Sequence, residues 1–166
     1  MIYVGIDNGT TSNGIGVVTE SGESFLFKTP VKKEQSYTKI EKNISRIDHQ
    51  KMFKIFDDLV AKFSKETFLV GLERPMVNPR RFFASMSAMR ALESTLVVME
   101  NLHLNFVYLD SKEWQRVMLP KNAGGDQLKS ASLAVGKSLF PHIKFTSDAD
   151  GILIAEYLKR KNNKKL

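Results

Sequence analysis

Asp7, Glu73 and the pair Asp148 and Asp150 are the residues of this chain whose type and setting point to chemistry. Asp7 ends the apolar run Ile2-Tyr3-Val4-Gly5-Ile6, and Glu73 ends a second, Phe68-Leu69-Val70-Gly71-Leu72. A carboxylate at the tip of a core strand costs folding energy unless a cation meets it. Parallel strands ending at one sheet edge would bring Asp7 and Glu73 together, and a helix start carrying Asp148 and Asp150 would complete the set. Carboxylates so gathered repel one another and become favourable around divalent cations, and oxygen donors are what magnesium and manganese take. A pair of such ions can activate a water, orient a phosphodiester and stabilise the leaving oxygen, which is the two-metal route to strand cleavage. Each acid also has a plainer use: Asp7 in the following turn, Asp148 or Asp150 at a helix N-terminus, and Glu73 in an ion pair with Arg74.

Composition narrows the alternatives. The chain has no cysteine and three scattered histidines, His49, His103 and His142, which excludes thiolate sites and offers no paired zinc spacing. Any metal must therefore be held by oxygen. With 42% hydrophobic and 26% charged residues the sequence reads as a soluble globular protein, with no membrane partner expected. No signal peptide is legible before the first strand, so a cytoplasmic location, in a bacterial cell or a phage-infected host, is expected rather than secretion. A formal charge of +7 favours a polyanionic partner such as nucleic acid.

The elements that must position these acids follow from pattern. Segments 2–7, 14–19 and 24–28 are expected to form an antiparallel three-strand meander. Residues 30–42 read as a basic loop, and apolar residues at helical spacing from Ile47 to Phe63 predict a helix over about 44–63. A buried strand is expected over 68–73, a long helix over 81–102, a fifth strand over 104–109 and a helix over 112–118. Asp126 is placed to cap a helix to about 139, and Ser147 or Asp148 to cap a last one to about 160. At 166 residues the chain is long enough for one domain, 1–166, with a basic, frayed tail from about 161. The expected fold is α/β, a mixed five-stranded sheet flanked by helices.

The stretches GIDNGTTSNGIGVV, FLVGLERP, the Ala/Met-rich helix and SDADGILIAEYLKR, in this order, resemble the successive motifs of RuvC-type Holliday junction resolvases of the RNase H-like, or retroviral integrase, superfamily. The resemblance spans nearly the whole chain. It implies a dimeric, magnesium-dependent endonuclease, with manganese able to substitute and two ions per site, that nicks two strands of a four-way DNA junction symmetrically. It assigns Asp7, Glu73 and Asp150 as metal-holding catalytic carboxylates. The family spaces its last two aspartates three apart, which falls on Ser147, so either Asp148 takes that role with a shifted helix start or the site runs on three carboxylates; Asp148 ranks below the other three. Lys129 matches a lysine beside the cleaved phosphate, where it would stabilise developing charge. Lys137, Arg80 and Arg81 are candidate phosphate contacts. Met76 is nearest in position to the family's apolar wedge, and Phe82 and Phe83 share its rim, with one of the two expected in the core. Trp114 has base stacking and core packing as alternatives.

Three other functions compete. Asp7-Asn8-Gly9-Thr10-Thr11-Ser12 also resembles the first phosphate loop of the actin, Hsp70 and sugar-kinase superfamily, but those proteins clasp ATP between two such domains, so no nucleotide cofactor is expected here. A broader branched-DNA endonuclease acting on flaps, forks or replication intermediates is the second. A junction-binding protein without catalysis is the third, raised by the altered spacing at Ser147.

Overall fold

The first strand, β1 (Ile2–Ile6), is buried at every position, as a strand covered on both faces must be. Its alternate side chains divide between two cores: Ile2, Val4 and Ile6 belong to one, Tyr3 to the other. The computed structural model that shows this describes residues 1–10, 14–37, 39, 42–125 and 127–163.

β1 pairs antiparallel with β2 (Ile15–Thr19), which pairs antiparallel with β3 (Ser24–Phe27). On its other side β1 runs parallel to a later strand, β6 (Phe68–Glu73), and β6 runs parallel to β7 (Phe106–Leu109). The sheet order is therefore β3-β2-β1-β6-β7, the mixed five-stranded sheet expected. Over one face lie α1 (His49–Lys62) and α2 (Phe82–Asn101), sealing a core that includes Met52, Phe56, Val70, Leu72, Val98 and Met99. Over the other lie α3 (Ser111–Met118), α4 (Gln127–Leu139) and α5 (Asp150–Asn162), around Trp114, Phe140, Ile152, Leu153 and Leu158. α2 with the short 3-10 turn Pro79–Arg81 before it is long and apolar enough, by composition, to cross a membrane; here it packs on α1 with Ala91, Leu92, Val98 and Met99 buried in the shared core.

α5 lies directly on the sheet backbone. A Cβ at Gly16 would stand 2.2 Å from the main chain of Ile152, and one at Gly5 would stand 2.2 Å from the carbonyl oxygen of Gly151. Only glycine allows that approach, which brings the first turn of α5 against the ends of β1 and β2.

Two expectations are corrected. The basic loop over 30–42 and the first turn of the helix over 44–63 contain instead a second hairpin, β4 (Val31–Gln35) with β5 (Asn43–Ile47), outside the main sheet. Glu34 ties it together, bonding Lys32 and Arg46 at 2.6 Å each. Ile44 and Ile47 mimic helical spacing, but the helix begins only after Asp48, whose side chain accepts from the Lys51 N–H at 3.2 Å. At the other end, residues 161 and 162, expected in a frayed tail, are ordered: α5 continues to Asn162, with Lys161 on Glu113 at 2.6 Å and Asn162 donating to the Tyr3 hydroxyl at 2.9 Å. Asp126 and the last three residues lie outside the described residues.

Candidate active site

Strand parity decides which way the acids point. Tyr3 and Gly5 face α5, so Asp7, two residues on, emerges on the same side. On β6 the sequence Leu69, Gly71, Glu73 follows the same alternation: Leu69 packs into the α5-side core, and a Cβ on Gly71 would meet Leu158 of α5. The parallel register pairs Ile6 with Leu72, so Asp7 and Glu73 leave the sheet side by side. Asn8 extends this pairing past the ladder, its Nδ2 donating to the Glu73 main-chain oxygen at 2.9 Å.

Asp150, the first residue of α5, comes to the same place through the glycine contacts. Its carboxyl is pushed up to about 7, chiefly by burial, against a hydrogen bond from Ser132 and with the charges of Asp7, Asp148 and Glu73 adding to the rise. Ser132 is buried on α4 and its hydroxyl donates to Asp150 Oδ1 while accepting the Ala149 N–H at 3.2 Å. Glu73 is likewise raised, first by burial and then by the charge of Asp7, against hydrogen bonds from Ser111 and Trp114. The Trp114 indole N–H reaches Glu73 Oε1 at 3.2 Å. Asp148 is buried, with Ser147 Oγ donating to its Oδ2 at 3.0 Å. The expected cap at Ser147 or Asp148 is displaced: Ala149 occupies the cap position of α5 and makes no side-chain cap bond.

The structure thus puts Asp150 within electrostatic reach of Asp7, Asp148 and Glu73, and Glu73 within reach of Asp7. The ion pair of Glu73 with Arg74 does not form; Arg74 turns to Asp110 at 3.6 Å and lies over the Tyr108 ring. Lys129 is exposed on α4 one turn before Ser132, on the side of the helix that meets Asp150. Lys137 is not brought there: five residues beyond Ser132, it lies roughly 140° round the helix. Met76, 78% exposed, stands in the segment between β6 and α2, and Arg80 and Arg81 are exposed on the 3-10 turn that follows. Both Phe82 and Phe83 are exposed, which corrects the expectation that one is core; the turn starts α2 early enough that its first buried residue is Ser85. Trp114 is fully buried and cannot stack on a base. Trp114, Ser111 and Ser132 are the site residues that sequence reasoning missed as holders of carboxylates. A buried indole needs a partner for its N–H, and that was the one signal on offer.

The donor set is all oxygen, partly buried and self-repelling, which is the chemistry a hard divalent cation relieves. Among the described residues no three of the side chains already converge as a ready ligand cage. The donors fit such an ion by their chemistry.

No protein-family model matches the sequence, and no curated protein is significantly similar to it. Solved structures do match. RuvC of Thermus thermophilus in complex with a Holliday junction substrate superposes with a TM-score of 0.59 over 98% of this chain and 96% of that one, at 14% identity. The fold is that of RuvC. A second Thermus thermophilus RuvC structure gives the same TM-score and identity, covering 97% of its own chain. The RuvC likeness therefore runs through every layer described above, including β1, β6 and α5, the three elements that carry the acids.

Proposed function

We propose that this chain is a divalent-metal-dependent endonuclease that resolves four-way DNA junctions by paired, symmetric nicks. The observation that carries the reading is the electrostatic coupling of Asp150, at the start of α5, to Asp7, Glu73 and Asp148, with the ends of β1 and β6 side by side. Support for the substrate comes from the RuvC-like fold and from the basic, exposed segment beside the site.

Asp7, Glu73, Asp148 and Asp150 would hold two magnesium ions, or manganese in their place. When bound, these supply charge neutralisation and Lewis acidity at the scissile phosphate. The chain's own residues do the rest. Trp114 and Ser111 fix the Glu73 carboxylate, and Ser132 fixes that of Asp150, so that the donors do not swing apart under their own repulsion. Lys129 sets a positive charge on the same flank to stabilise the charge that develops on the phosphate. Arg80 and Arg81 grip backbone phosphates at the rim, and Met76 wedges into the junction's open centre. Paired nicking needs two sites, so the working unit is a homodimer; exposed Met89 and Val97 give α2 apolar surface for it. The location is cytoplasmic, where such junctions arise, and the whole chain acts as one nuclease domain without a nucleotide cofactor.

Initial rates on a labelled four-way junction, a fork, a flap and a linear duplex test the substrate class. The junction is expected to be cut at least about tenfold faster than the others. Equal rates on junction, fork and flap would replace this reading with that of a general branched-DNA nuclease.

A further inference from the structure

Beyond the carboxylates, the molecule carries a second built surface. The β4–β5 hairpin packs against the first turns of α2 and leaves between them a groove of about 410 Å³, lined by Tyr37, Lys42 and Ile44 from the hairpin side and by Phe83, Met86 and Arg90 from the helix. Its aromatic rings are turned outward: Tyr37 is 68% exposed and Phe83 73%. Phe82 meets Phe83 edge to face with ring centres 5.6 Å apart. Each of the two principal rings has a cation over it, Lys42 Nζ at 5.2 Å from the Phe83 centroid and the Arg90 guanidinium at 5.9 Å from that of Tyr37. No acidic side chain lines the groove among the described residues.

We infer that this groove binds single-stranded DNA, stacking unpaired bases on Tyr37 and Phe83 while Lys42 and Arg90 meet the backbone phosphates; the inference rests on the nuclease reading for its biological setting, not for its chemistry. Exposed flat rings interleaved with cations, in a groove without acidic lining among the described residues on a chain of charge +7, match the donor set of single-strand binding surfaces. An apolar protein segment would use the rings and Met86 but leave two cations without anionic partners. A polyanion alone would use the cations but not the outward rings. A single strand uses both. The groove also lies just past the site along the chain: Asn78 and Ser85 exchange hydrogen bonds at 2.9 and 3.0 Å, holding the segment after Glu73 against the start of α2. Bases unpaired near the cleavage point therefore have a landing place on the same molecule.

The test uses the full chain and a fluorescein-labelled oligothymidine, read by anisotropy in EDTA so that cleavage plays no part. Tyr37→Ala and Phe83→Ala should each weaken binding by roughly tenfold, since a stacked base contributes about that much. In a separate variant, Phe83→Trp, tryptophan emission should be quenched by the oligonucleotide; the native Trp114 is buried and serves as an unchanging background. Unchanged affinity in both alanine variants, or no quenching, overturns the proposal while leaving the nuclease reading intact. Loss of a dimer in Phe83→Ala by sedimentation, with oligothymidine affinity unchanged, also overturns it and assigns the groove to a second copy. Weakened oligothymidine binding in the variants of a chain that nicks no junction keeps the groove and removes the nuclease.

Discussion

Asp150 carries the most measurable consequence of the site's electrostatics. Its carboxyl is pushed up to about 7 in the folded chain from the ordinary 3.8 of an aspartate, so between those values the folded chain holds a proton that the unfolded chain has released. Stability is therefore fully present below the unfolded value and is lost as pH rises through the folded one. In EDTA, the melting temperature should fall between about pH 4 and pH 7, and Asp150→Asn should flatten that fall, leaving the variant more stable than the native chain at pH 8 by on the order of 1–3 kcal/mol. The residual slope belongs to Glu73, raised in the same direction. Magnesium should restore the native chain and not the variant; an identical pH slope in Asp150→Asn would contradict this account. Trp114→Phe keeps a ring in the core but withdraws the indole N–H from Glu73, so the magnesium concentration for half-maximal nicking should rise by about tenfold, with the maximal rate approached at saturating metal. The acids themselves were legible because a carboxylate ending an apolar run is a contrast within a few residues. Their holders were not: Trp114 and Glu73 are 41 positions apart and Ser132 and Asp150 are 18, and nothing local marks a serine or an indole as a partner across such distances.

Among the elements, α5 is the one whose position assembles the site. It reaches the sheet because β1 and β2 carry glycines where it crosses, and Gly16 has no room for a methyl group against Ile152. Gly16→Ala should cost roughly 2–3 kcal/mol in urea denaturation and, by lifting Asp150 away from Asp7, should slow nicking as well. Stability equal to the native chain would mean that the helix accommodates the methyl and that the glycines do not set the site. The sheet could be read in advance because both faces of β1 and β6 are covered, which leaves uninterrupted apolar runs bounded by turn residues. The β4–β5 hairpin could not. It covers α2 with one side only, its ladder residues are largely Lys, Glu, Asn and Ser, and the pair Ile44 and Ile47 carries helical spacing into the helix that follows.

At the scale of the whole molecule, charge and shape divide the labour. A chain of +7 carries Asp7, Glu73 and Asp150 at the ends of β1 and β6 and the start of α5, and exposes Arg80, Arg81 and Lys129; on the proposed function a polyanion would be drawn by the net charge toward acids that only metal would make hospitable to it. The RuvC fold was legible from the order of motifs along the chain even at 14% identity, because the acid-tipped strands, the long helix and the final helix are each fixed by what they must pack against. The most direct test of the account is nicking of an end-labelled four-way junction in magnesium by the native chain and by Asp7→Asn, with binding followed in parallel by gel shift in EDTA. The native chain should cut two opposed strands, and Asp7→Asn should lose on the order of a thousandfold in rate while shifting the junction as before, because what it loses is charge at the site rather than contact with DNA. Cutting by Asp7→Asn at the native rate, or none by the native chain, would contradict it.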